Sequence, residues 1–191
     1  MKKIISTAIA ATALSVGFAA HAADPAPVIQ RDVNQQQRIE QGLKSGELNT
    51  KEAARLERGE AKIDNMEKKA LSDGNMSAAE KARIERAQNA ESKKIYSEKH
   101  DAQKGNPNSA SSQRMQADVQ RNVNQQQRIE QGVQSGELTN KEAGKLEGGQ
   151  ARVDRKEARA GADGHVGAGE ERRIQHSENN QSKQIYRKKH N

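Results

Sequence analysis

Apolar side chains along this chain recur at helical intervals, and no stretch reads as a strand. Ile29, Val33, Ile39 and Leu43 are spaced by 4, 6 and 4 residues, with Gln36 and Gln37 filling the gap. That spacing predicts a Gln-rich, weakly amphipathic helix over about 29–44. It stops at Ser45-Gly46, where glycine can take the left-handed conformation that ends helices. A second helix opens at Asn49-Thr50-Lys51-Glu52, where an Asn or Thr oxygen can accept the free N–H groups of the first turn. Its register is heptad-like, as in a coiled coil: Leu56, Ile63 and Ala70 lie seven apart, with Gly59 and Met66 between them. Asp73-Gly74 makes the next turn, and Ser77-Ala78-Ala79-Glu80 has the spacing of a capping box. The third helix then runs to about His100, with Ile84, Ala87, Glu91 and Ile95 on one face.

The whole pattern occurs twice. VNQQQRIEQG stands unchanged at 33–42 and 123–132, an offset of 123 − 33 = 90 residues that holds without insertion to His100 and His190. The expected fold is therefore all-α, a tandem duplication of a three-helix unit in which helices 2 and 3 form a hairpin and helix 1 covers part of its seam. The units are residues 23–101 and 118–191, joined by a flexible polar linker, 102–117, that contains Pro107 and shows no periodicity. The second unit adds Gly144, Gly148, Gly161, Gly167 and Gly169, which have no counterparts in the first. Interior glycines weaken helices, so the second unit is expected to be the looser copy.

Composition narrows the core. Of 191 residues 31% are hydrophobic, with no Cys, no Trp, two Tyr and one Phe, so any core is a thin seam of aliphatic side chains. Phe18 lies in a leader: Lys2 and Lys3, a mostly apolar run from Ile4 to Ala20, and the A-x-A site Ala20-His21-Ala22 read as a secretory signal peptide over residues 1–22. The mature protein is then expected in the periplasm or outside the cell, with no membrane span after cleavage. The formal net charge is +7, but acidic and basic residues are interleaved along the helices, which is the usual pattern of a solvated face.

Candidate chemistry is sparse. There is no Cys nucleophile, no serine elbow, no H-x-x-x-H or H-E-x-x-H histidine pair, and no phosphate loop, so neither an enzyme nor a cofactor is expected. The turns between helices 2 and 3 resemble the second half of an EF-hand loop, with Asp73, Ser77 and Glu80, and Asp163 and Glu170 in the copy, at ligand positions. Lys69 and Leu71, and Arg159 and Gly161 in the copy, occupy the first two ligand positions, so the ion site is dismantled and no tight calcium binding is expected there; a degenerate divalent-cation binder is the alternative function. The end of helix 3 offers the other candidate. Asn89, Ser92, Lys93, Tyr96, Lys99 and His100, repeated as Asn179, Ser182, Lys183, Tyr186, Lys189 and His190, set aromatic and cationic groups at helical spacing. Basic residues there also complement the helix dipole. As a docking face the stripe suits another protein or a second copy of the chain, with an anionic polymer, nucleic acid or lipopolysaccharide, as a further alternative.

Taken together, the leader, QQQRIEQG, SGEL-x-x-KEA-x-x-L, DG-x-x-x-x-x-E and S-K-x-IY-x-x-KH resemble a group of small exported proteobacterial helical-repeat proteins. The resemblance covers nearly the whole mature chain twice, and it implies export and helical structure. The function expected is that of an exported, non-enzymatic binding or scaffold protein acting through helix faces.

Overall fold

A computed structural model describes residues 22–191; the leader expectation falls almost wholly on residues outside that range. The fold is all-α. Six helices follow one another: α1 Ala26–Ser45, α2 Thr50–Ala70, α3 Ala78–Lys99, α4 Ala110–Gln134, α5 Asn140–Ala160 and α6 Ala168–Lys189. Their ends follow the local chemistry of the sequence. Asn49, Ser77 and Thr139 each cap a helix in a reciprocal box with a Glu three residues on, and Gly46 ends α1 at φ 74°. Among the described residues no helix is long and apolar enough to cross a membrane.

The principal packing joins the two copies rather than building each one separately. α2 lies antiparallel to α5, so that Gly144 at the start of α5 meets Leu71 just past the end of α2, and Gly161 meets Ala54. α1 is likewise antiparallel to α4, with Gln116 near the start of α4 donating to the Leu43 carbonyl near the end of α1. These four helices form a central bundle, while α3 packs outside on α1 and α2, and α6 on α4 and α5.

Each apolar cluster is consequently shared. One joins Ile29, Ile63, Leu71, Met76 and Ile84 to Ile129, Leu138, Leu146 and Ile185. The other joins Ile39, Leu43, Leu48, Leu56 and Ile95 to Met115, Val119, Val166 and Ile174. Most of the expected seam residues are buried, with Met66 and Ala87 half-buried, and both copies contribute to each cluster.

Two expectations change here. The stretch 102–117 contains the first turns of α4, with Ser111, Ser112 and Met115 buried, and Gly105 N–H donates to the Gly46 carbonyl at 2.9 Å. The connector thus lies against the α1–α2 turn. Three of the added glycines of the second copy, Gly144, Gly148 and Gly161, stand at the seam between copies, whereas Gly167 and Gly169 have only α6 side chains near them: a Cβ at Gly144 would lie 2.7 Å from Leu71 Cβ, so its absence sets how closely α5 approaches α2.

Candidate metal centre

The inner faces of the central helices are acidic. On α2, Glu57, Glu60, Asp64 and Glu67 follow at intervals of 3, 4 and 3 residues and so share one stripe. On α5, Glu147, Gln150, Asp154 and Glu157 repeat it, and α1 contributes Asp32. The eight carboxylates Asp32, Glu57, Glu60, Asp64, Glu67, Glu147, Asp154 and Glu157 are each at most 1% exposed. None of them forms an ion pair, and among the described residues no Lys, Arg or His is buried. Basic neighbours on the same helices, such as Arg58, Lys62 and Lys68, point to solvent. The charges that alternate along the sequence are therefore sorted in space, acids inward and bases outward. This corrects the expectation of a solvated, mixed face.

Among the described residues, the side-chain hydrogen bonds this core receives come from amides of α1, α3 and α4. Gln88 Nε2 donates to Asp32 Oδ1 at 2.7 Å, Gln36 Nε2 to Glu57 Oε2 at 3.0 Å, Gln126 Nε2 to Glu147 Oε2 at 3.1 Å, and Asn122 Nδ2 to Glu157 Oε2 at 2.7 Å. Gly59 makes room for this layer, since any Cβ there would occupy the position of the Glu91 carboxylate, which reaches across from α3. Every one of the eight carboxylates still keeps at least one buried oxygen without a partner, and both oxygens of Glu60 are unpartnered.

Two groups are close enough to share an ion. Asp32, Asp64 and Glu67, and separately Glu57, Asp154 and Glu157, each bring three carboxylate oxygens within 4.8 Å of one another. That span matches two opposite ligands at about 2.4 Å from one calcium-sized ion. Left bare, two unit charges at 4.8 Å in a medium of effective dielectric about 20 repel by about 3.5 kcal/mol. Burial accordingly pushes the carboxyl pKa values up: Asp32 to about 6, Glu57 to about 7 and Glu147 to about 8. Burial first, then the neighbouring carboxylates, hold Glu60, Asp64, Glu67, Asp154 and Glu157 well above the usual range. Either protons or cations must neutralise this core. With carboxylate and amide oxygens as the only donors, the cations that fit are hard ones.

The candidates read from the sequence lie elsewhere. Glu80 Oε2 accepts the Ser77 N–H at 2.9 Å and Asp73 Oδ1 accepts the Asn75 N–H at 2.8 Å, so in the first copy both acids hold the turn. Asp163 and Glu170 do the same in the second, through His165 and Gly167. The helix-3 stripe divides. Asn89 and Ser92 accept from Arg31, Gln35 and Arg38 of α1, and Lys99 pairs with Glu47, with Asn179, Ser182 and Lys189 repeating these roles. Lys93 and Lys183 are exposed, as are Tyr96 and Tyr186, at 60% and 59%, each stacked on its own His100 or His190. A cationic cleft of about 640 Å³ adds Lys156, Arg159, Arg172, Arg173 and His176 on the second copy's surface.

No protein-family model, curated protein or solved structure matches this chain.

Proposed function

We propose that this protein binds hard multivalent cations, several at a time, in the carboxylate core between its two copies, and that it acts outside the cytoplasm as a cation-holding protein without a reaction of its own. The observation that carries this reading is the set of eight buried carboxylates, drawn from three helices, that have no cationic side chain among them and unpartnered oxygens on every member. One divalent ion balances two such charges, so a single ion leaves most of the core uncompensated. Two separate triads, one on α1 and α2 and the other spanning α2 and α5, favour at least two ions held together. Binding would also join the copies, because the second triad takes Glu57 from α2 and Asp154 and Glu157 from α5.

The test is direct. Chelator-treated protein at pH 7.5 is titrated with calcium and, separately, with manganese, and retained metal is counted after gel filtration. More than one equivalent is expected, with a thermal midpoint that climbs as free cation rises, since a ligand at 100 times its Kd adds about 2.7 kcal/mol to stability. No retained metal and an unmoved midpoint at millimolar cation would overturn the reading.

A further inference from the structure

We infer that a second cation site, for one divalent ion of the calcium type, lies outside the core where Glu52, Glu98 and Asp101 converge. Glu52 stands in the first turn of α2, Glu98 in the last turn of α3, and Asp101 opens the connector. Each brings one carboxylate oxygen within 4.8 Å of the other two. Glu52 is wholly covered; its Oε2 accepts the Asn49 N–H at 2.9 Å, while its Oε1 is buried without a partner.

The duplication supplies an internal control. In the second copy Glu142 takes the place of Glu52, but Lys188 and Asn191 take those of Glu98 and Asp101, and Lys188 Nζ lies 3.7 Å from Glu142 Oε1. One copy answers the capping glutamate with a lysine. The other surrounds it with two more acids, at the carbonyl end of α3 where the helix dipole already favours positive charge. Nearby cations balance them only in part, Lys104 Nζ donating to the Asp101 backbone carbonyl at 3.4 Å rather than to its carboxylate. Arg55 Nη1 reaches only Glu98 Oε1, at 3.4 Å, and Lys99 is turned to Glu47 at 3.2 Å. Asp101 Oδ1 accepts the Gln103 N–H at 2.8 Å and Oδ2 the Gln103 amide at 3.3 Å, which holds the carboxylate in place and leaves it lone pairs for an ion. A calcium ion completed by water would therefore stand where Lys188 stands in the copy. It would clamp the start of α2, the end of α3 and the head of the connector that leads into α4.

The experiment compares full chains. Glu98→Lys combined with Asp101→Asn writes the second copy's residues into the first, so the variant has a folded precedent within the same molecule. Calorimetric titration with calcium should show one equivalent fewer than wild type, with the core equivalents unchanged. Calcium should slow tryptic cleavage after Lys104 in wild type and lose that effect in the variant. Asp101→Asn alone should weaken the same equivalent. A Glu60→Gln/Asp64→Asn chain should lose core equivalents yet keep this one and its protection, which separates the two sites. Equal stoichiometry and equal protection in wild type and the double variant would overturn the inference, as would a wild-type connector whose cleavage calcium does not change.

Discussion

Asn122 donates to the Glu157 carboxylate across 2.7 Å, at the position where the first copy has Asp32, a carboxylate lying within 4.8 Å of Glu67. The two halves of the core thus balance the same stripe differently. One satisfies it with an amide donor, while the other adds a further acid.

Asp32→Asn should exchange cation affinity for metal-free stability. It removes one buried charge and places an amide beside Asp64 and Glu67, and a hydrogen bond to a charged group contributes about 1.5–3 kcal/mol. In chelator, urea unfolding at pH 7 should show the variant more stable by about 1 kcal/mol or more. Calcium titration should show it weaker by about tenfold, the loss of one charged ligand being worth roughly 1.4 kcal/mol. A variant less stable than wild type in chelator would mean that Asp32 is already neutralised there.

Without cations, stability should fall as pH rises. Asp32, Glu57 and Glu147 ionise near 4 when unfolded but at about 6, 7 and 8 in the folded chain, so between these limits the folded state holds more protons. Their neutral forms contribute fully below about pH 4, and each contribution falls by about 1.4 kcal/mol per pH unit above that until the group's folded pKa, about 6, 7 or 8, is passed and the loss is complete. Thermal melts in chelator should give a higher midpoint at pH 5 than at pH 8. Saturating calcium should flatten the difference, and a midpoint independent of pH in chelator would contradict the prediction.

Gly144→Ala should destabilise despite the first copy having Ala54 at that place. Helix propensity gains about 1 kcal/mol, but the new methyl meets Leu71 Cβ at 2.7 Å in a seam where both backbones are fixed. Overpacking of that kind costs about 1–3 kcal/mol, so the net change should be a loss. Urea midpoints of the two chains decide it.

Helix ends and apolar seams were legible because their signals are local. Asn49 and Glu52, or Ser77 and Glu80, announce a cap within four residues, and Leu56, Ile63 and Ala70 keep one face in any environment. The carboxylate core was hidden because its spacing is that of an ordinary apolar stripe written in Glu and Asp. Glu57, Glu60, Asp64 and Glu67 look solvated until α5 is laid against them, and no buried base in the sequence accompanies them. A usable signal did exist: on α2 the acids fall at 3, 4, 3 spacing and Arg55, Arg58, Lys62 and Lys69 fall off that stripe. The start of α4 escaped notice for a related reason, since its buried face is Ser111, Ser112, Met115 and Asp118, only one of which is apolar.

The antiparallel meeting of α2 with α5 also bears on how such a chain can diverge. Two identical units facing each other across a twofold axis must change every residue of their shared surface in pairs. Once both sit on a single polypeptide that obligation ends, and Asp32 and Glu60 can remain acids while their mirror positions become Asn122 and Gln150. On one polypeptide the basin can have a more acidic and a less acidic side, each free to change without the other.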